Sequence, residues 1–446
     1  MTFFLDNSTR YRLKISCMIR RIQFILLSLI LFAALPLYAS EIRQYTPVEQ
    51  PDISSLPTVL SSLPEEKIKN RPEIISDYSS NEVANHAVRR NITLFTETIR
   101  ERFSLWLMRS GKYLELMKGI LKEKNIPEEI VFLSLIESGF SPKAYSPAQA
   151  AGYWQFISST AKRYGLEINW WRDERRDPVK STAAAADYLK DLYEMFGSWN
   201  LAMAAYNAGE GKILKALNKT KTDDYWALLK TKHIKNETKD YVPKFIAASL
   251  IASNPETFGF DDLEYHPPLN YDIVTLKSPV DLDVIAACAE SSVEVIRELN
   301  PELRRWCTPP DMPEYTLRIP EGKQGIFSDN LSQIPEEERF TVDLYTVKKG
   351  DTFKTISKRT GVPAQVILDL NDMEKIMPLK AGTKIYLPPK GKCVLDREDR
   401  ATIKKASFKQ KKKCVVKNKK HRSGKKVKKI SHKRNKKEPA AKSRKI

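Results

Sequence analysis

Residues 128–137 read EEIVFLSLIE, an apolar run that ends in one carboxylate, Glu137, and the breaker SGFSP follows. A carboxyl group in apolar surroundings resists ionisation, because burial penalises the charged form. It then stays protonated near neutral pH, as a general acid must. A surface Glu at a helix end fits the same pattern. Residues 146–166, SPAQAAGYWQFISSTAKRYGL, bring small side chains beside Tyr153, Trp154 and Phe156. Small residues let a backbone come close, and aromatic faces suit sugar rings. Tyr206 and Asn207 end the Ala-rich run WNLAMAAYNAGEG (199–211), and Tyr241 stands two residues before Pro243 in ETKDYVPKF (237–245). Each of these alone also fits capping or core packing. Most sites that break glycosidic bonds pair two carboxylates. Residues 138–156 contain no second acid.

Helices must carry these residues. Val88, Ile92, Phe95, Ile99, Phe103 and Leu107 recur at spacings of three and four, one face of an amphipathic helix. Further helical runs cover 113–124, 127–137, 181–196 and 201–208, and Pro127 suits a first turn. Strand alternation is nearly absent from 81–260, so residues 81–265 are expected to form an all-α domain. The Pro- and Ser-rich residues 41–80 read as an extended linker.

The net charge of +20 is concentrated at one end. Residues 401–446 hold 21 Lys and Arg and one acid, Glu438, which leaves 54 basic and 54 acidic residues elsewhere. Residues 391–446 are expected to be a disordered basic tail, since like charges repel and little apolar surface can be buried. At the other end, Arg20 and Arg21 precede the apolar run 22–35, and small residues follow near Ala39 and Ser40. Residues 1–40 thus read as an export signal whose true start is Met18 or Met1; a retained signal anchor is the alternative. Cys17 lies before the apolar run and no Cys follows at its exit, which argues against a lipid anchor. Export tips the tail's partner away from genomic DNA toward anionic lipid or acidic cell-wall polymers, and a solvated tail with no partner is the alternative. Export also permits disulfides, and a Cys288–Cys307 pair is expected, with two buried free thiols as the alternative. No Cys-x-x-Cys pair, metal-ligand cluster or Gly-rich phosphate loop is present, so no metal or cofactor is expected. Nothing in the sequence sets an oligomeric state.

Residues 271–320 and 344–389 repeat a strand–helix–helix–strand pattern. Ile285-Ala286 corresponds to Ile356-Ser357, and Leu299-Asn300 to Leu370-Asn371, each 71 positions on. The second copy, taken as 343–389, resembles the LysM domain through YTVKKGDTF (345–353), Leu370-Asn371 and LKAGTKIYLP (379–388). That resemblance implies a small βααβ fold that binds N-acetylglucosamine-containing glycans. The first copy, taken as 270–320, is degenerate: Ser278-Pro279-Val280 stands where Gly-Asp-Thr is expected.

The helical region resembles the family 1 soluble lytic transglycosylases. The carriers are ESGF at Glu137, AYSPAQAAGYWQF (144–156), Asp177-Pro178, AAYNAG (204–209) and ETKDYVP (237–243). With LysM repeats downstream, the order resembles the membrane-bound members of that group. The resemblance implies a multidomain chain with an all-α, lysozyme-like catalytic domain followed by βααβ modules. It implies peptidoglycan glycan strands as substrate and cleavage between N-acetylmuramic acid and N-acetylglucosamine, closing a 1,6-anhydro ring. Glu137 would be the acid and then the base. Ser146, Gln155, Tyr206, Asn207 and Tyr241 would contact substrate or Glu137. One departure is Gln149, where the family usually has Gly. Two rivals are a hydrolytic muramidase, with Asp173, Glu174 or Asp177 positioning water, and a non-catalytic glycan-binding scaffold.

Overall fold

The computed structural model describes residues 82–392. The expected signal (1–40), linker (41–80) and all but the first two residues of the basic tail (391–446) lie outside the described residues. Among the described residues no helix is long and apolar enough to cross a membrane.

The first half is helical: α1 (Glu82–Thr93), α2 (Arg100–Ser110), α3 (Leu114–Glu123), α4 (Phe132–Ser138), α5 (Ser158–Arg163), α6 (Pro178–Phe196), α7 (Trp199–Ala208), α8 (Glu210–Thr220), α9 (Tyr225–Leu229) and α10 (Asn236–Ser253). The amphipathic run at 88–107 is two helices joined by a π-helical turn, Leu94–Thr98, rather than one. The turn's extra residue lets Phe95 and Phe103 stack at 4.3 Å, both buried, and leaves Ile99 at the break.

Asp177 starts α6, accepting the backbone N–H groups of Val179 and Lys180, and Pro178 occupies the first turn where no N–H is needed. Buried Ala184, Ala185 and Ala186 of α6 and Ala202, Ala204 and Ala205 of α7 allow these helices to pack closely. Helix α10 contacts α1, α4 and α7 and runs through Pro243. A proline inside a helix leaves the carbonyl four residues back without its N–H donor. That carbonyl belongs to Lys239, and the Tyr225 hydroxyl donates to it at 2.9 Å and to Thr238 O at 3.1 Å. The turn that carries Tyr241 is held in this way.

Two small modules follow. In the first, β1 (Tyr271–Leu276) pairs antiparallel with β2 (Tyr315–Pro320), from Tyr271 opposite Pro320 to Leu276 opposite Tyr315. Helices α11 (Leu282–Cys288) and α12 (Val293–Leu299) lie between them. An additional helix, α13 (Gln324–Gln333), places Phe327 in the same core. The expected limit at 320 therefore cuts off part of this core. In the second module β3 (Asp343–Thr346) pairs antiparallel with β4 (Lys384–Leu387), with α14 (Phe353–Thr360) and α15 (Ala364–Asp369) between.

The repeated Leu-Asn pair has one structural job in both modules. Asn300 donates to Arg318 O at 2.7 Å and accepts from Arg318 N at 2.9 Å. Asn371 does the same with Tyr386, at 2.9 and 2.8 Å. Each side-chain amide pins its module's second strand to the end of its second helix.

The expected Cys288–Cys307 disulfide is not formed; both are free, buried thiols. Cys288 packs in the first module's core, whereas Cys307 packs in the second module's core. That second core also takes in Trp171 from the helical body and Trp306, whose rings meet edge to face at 5.8 Å.

Candidate active site

Glu137 is the penultimate residue of α4, and Gly139 ends that helix in the left-handed conformation (φ 57°). A side chain at 139 would run into the Trp106 ring, 2.2 Å from a built Cβ, so the tight stop after Glu137 requires glycine. Arg109 donates to Gly139 O at 2.6 Å and fixes the exit.

The Tyr241 hydroxyl donates to Glu137 Oε1 at 2.7 Å. Glu137 is half-buried at the surface of the body. Burial pushes its carboxyl up from 4.5 to about 7; the Tyr241 hydrogen bond opposes that rise, the Glu237 charge adds to it, and Lys244 opposes it. Tyr206 and Tyr241 both have hydroxyls pushed well above the ordinary value, by burial first and then by the Glu137 charge. The site thus holds one carboxyl poised to be neutral near pH 7 and two phenols that stay protonated.

The loop opposite is stitched from beneath. The Ser134 and Ser138 hydroxyls both donate to Tyr153 O, at 3.0 and 2.8 Å. Tyr206 donates to Trp154 O at 2.7 Å, and the Trp154 ring donates to Thr182 Oγ1 at 2.9 Å. Arg175 reaches up to Gln149 O at 2.9 Å and Phe156 O at 3.0 Å. Asp173 clamps the same guanidinium through two bonds, at 2.8 and 2.7 Å, and both side chains are buried. Gly152 lies against Arg175 O, 1.8 Å from where a Cβ would stand, so only glycine fits.

Glu137, Tyr206 and Tyr241 are brought together. The other expected residues are placed differently. Ser146 Oγ accepts from Ala150 N at 3.1 Å, and Gln155 Nε2 donates to Gly152 O at 3.0 Å; both bonds stay within their own loop. Asn207 accepts from Thr238 at 3.1 Å and lines a cavity of about 320 Å³ with Lys212, Lys235 and Glu237. Gln149 adopts φ 68°, a conformation natural to glycine, in the turn closed by Gln149 N donating to Ser146 O.

The acids considered for positioning water have structural partners. Asp173 holds Arg175, Glu174 accepts from Lys180 at 2.6 Å, and Asp177 caps α6 and accepts from Arg318 at 2.8 Å. The residues missed by sequence reasoning are Arg175, Tyr225, Trp106, Glu237 and Lys244. The run RDERRDP (172–178) carries the hallmarks of a solvated charged loop, yet Arg172, Asp173, Glu174, Arg175 and Asp177 are buried.

Residues 116–229 match the transglycosylase SLT domain. Residues 270–336 match the LysM-like domain of the lytic transglycosylase MltD, and 345–388 match the LysM domain. The chain is 34% identical over 297 residues to membrane-bound lytic murein transglycosylase D of Escherichia coli K12, a match spanning 63% of this chain and 64% of the relative. It therefore covers slightly less than two thirds of that relative's length. A putative tributyltin chloride resistance protein of Alteromonas is 38% identical over 114 residues, 25% of this chain and 55% of that protein. Among solved structures, the 70 kDa soluble lytic transglycosylase of Escherichia coli aligns with 22% identity and a TM-score of 0.31, over 45% of this chain and 34% of that one. Glu137, Tyr206 and the stitched loop all fall inside the SLT match, whereas Tyr241 lies beyond its end.

Proposed function

We propose that the chain is a peptidoglycan lytic transglycosylase of the cell envelope. The observation that carries this reading is the Glu137–Tyr241 pair: a carboxyl inside the SLT match, raised by burial to about 7 and bonded by the Tyr241 hydroxyl. Glu137 protonates the oxygen between N-acetylmuramic acid and N-acetylglucosamine, and that bond breaks. The substrate's N-acetyl group, or an oxocarbenium-like state, carries the charge at C1. Glu137, now ionised, takes the proton of the muramic acid C6 hydroxyl, which attacks C1 and closes the 1,6-anhydro ring. The nucleophile comes from the sugar, so one carboxyl serves both steps. Tyr241 orients Glu137 and supports its charged form, and Tyr206 lines the same face. Ser146, Gln155 and Asn207 meet the substrate after exchanging their present partners for it.

The commitment of Asp173, Glu174 and Asp177 to structural ion pairs favours this chemistry over hydrolysis by those acids. The test is digestion of purified murein sacculi, with products weighed by mass spectrometry. Anhydro products lie one water below hydrolytic ones, and a scaffold releases nothing. The basic tail, in the same reading, holds the exported enzyme on anionic lipid or acidic polymer. Full-length protein should bind anionic vesicles or sacculi more tightly than a chain ending at Lys392, and the gain should fade between about 0.05 and 0.5 M salt. Equal binding at low salt removes the anchoring role.

A further inference from the structure

We infer that the first module is part of the reaction machinery rather than a tether: it braces the loop beside Glu137 from beneath, and Arg318 is its positioning residue. The inference rests on the transglycosylase reading above and adds what holds the loop in place. The brace runs through residues 171–177. On the module's side, residues 302–304 add to that segment like a short strand. Asp173 N donates to Glu302 O and Arg304 N to Trp171 O, each at 2.9 Å, and Arg172 pairs with Leu303 in an antiparallel bridge. Side chains reinforce the backbone. Arg318, on β2, donates to Asp177 Oδ2 at 2.8 Å and lies 3.8 Å from Glu302 Oε2, and Arg172 donates to Asp311 at 2.9 Å. Arg172, Asp177 and Glu302 are buried, and only 13% of the Arg318 side chain is exposed.

On its other side the same segment meets the loop. Arg175 holds Gln149 O and Phe156 O, Arg176 donates to Pro142 O at 3.1 Å, and Gly152 packs on Arg175 O. The loop in turn holds the helix of the acid, because Ser134 and Ser138 of α4 both donate to Tyr153 O. Arg318 thus reaches Glu137 in three steps: the segment 171–177, the loop 142–156 and helix α4.

The charge at Asp177 makes the brace matter. Its Oδ1 caps α6 by accepting from Val179 N and Lys180 N, and its Oδ2 takes the Arg318 guanidinium. Removing one partner of a buried ion pair leaves an uncompensated charge. Without Arg318 the Asp177 carboxylate is drawn toward water, and the end of the segment that carries Arg175 and Arg176 moves with it. A shift of about 1 Å at a reacting group costs about 10²-fold in rate. A tether needs no such contacts, since a linker alone raises local concentration. The bracing module is also the copy that departs from the LysM pattern, at Ser278-Pro279-Val280.

The test uses full-length protein and a short soluble murein oligosaccharide. Arg318→Gln should lower kcat by about tenfold or more while KM stays nearly constant. Arg318→Lys keeps the charge and loses the planar fork, so it should lose less. Asp177→Asn combined with Arg318→Gln should recover part of the loss, since the pair is then neutral and Asn still caps α6. Amide hydrogen exchange, read by mass spectrometry without substrate, should quicken at 149–156 in Arg318→Gln and less so in the double variant. Thermal melts show that each variant is folded at the assay temperature; if Arg318→Gln is not, Arg318→Lys carries the comparison. Unchanged kcat in both Arg318 variants overturns the inference, as does unchanged exchange at 149–156. A raised KM at constant kcat also overturns it, since the module would then serve binding. Exchange is read without cleavage. A wild type that releases no anhydro product therefore sinks the activity alone, and faster exchange in Arg318→Gln still supports the brace.

Discussion

Tyr241→Phe isolates one hydrogen bond at the proposed acid. The hydroxyl donates to Glu137 Oε1 at 2.7 Å, and this contact favours the ionised carboxylate. A hydrogen bond to a charged group contributes about 1.5–3 kcal/mol, and one pH unit corresponds to about 1.4 kcal/mol. The neutral carboxylic acid keeps part of the contact, so the lower end applies: Glu137 should rise by about one unit from its value of about 7. The sign follows. Glu137 must be protonated to begin the reaction, so the alkaline limb of the rate profile should move up by about one unit. Stability moves with it. The folded-state value is raised above 4.5, so the stabilisation is full below about 4.5 and is lost as pH rises through about 7, by at most about 3 kcal/mol. In Tyr241→Phe that loss should extend to about pH 8. The assay is anhydro-product release from pH 5 to 9, with a carbon-13 NMR titration of the Glu137 carboxyl alongside. A limb that stays put or moves down would refute the reasoning, because burial would then not be opposed by this bond.

Glu137→Gln should reduce product release by about 10²–10⁴-fold or more and flatten the loss of stability between pH 4.5 and about 7, as measured by thermal melts across pH; activity within tenfold of wild type removes Glu137 from the chemistry. Gln149→Gly should stabilise the protein by about 1 kcal/mol, because φ 68° costs a residue with a Cβ what it does not cost glycine; urea midpoints read this, and a lower midpoint contradicts it. Tyr225→Phe strips the donor from the Lys239 carbonyl left open by Pro243 and should destabilise by about 1–3 kcal/mol; Tyr225→Phe combined with Pro243→Ala should recover part of that loss, since the helix then supplies its own N–H.

The carboxyl at Glu137 was legible because helix, stop and carboxylate follow each other within a dozen residues. The Leu-Asn repeat was legible because the same bond is made twice with the same sequence. The roles of Arg175 and Tyr225 were not, because each answers a need created far along the chain. Arg175 serves carbonyls at 149 and 156, and Tyr225 serves a carbonyl freed by a proline 18 residues later. The burial of RDERRDP was hidden for the same reason: Arg318 and Asp311, the partners of Asp177 and Arg172, come from the first module. The disulfide expectation failed because two cysteines that flank the same helices in sequence enter different cores.

Trp171 of the SLT domain is buried in the core of the second module, and its ring N–H donates to Asp369 at 2.8 Å. A module joined only by linker would search a volume, and cuts would scatter along a strand according to linker length. A module that shares its core with the SLT domain stands at a set span from Glu137. On the proposed reading that span acts as a ruler. The distance between gripped sugar and broken bond becomes a fixed number of disaccharides, written into the fold by two tryptophans.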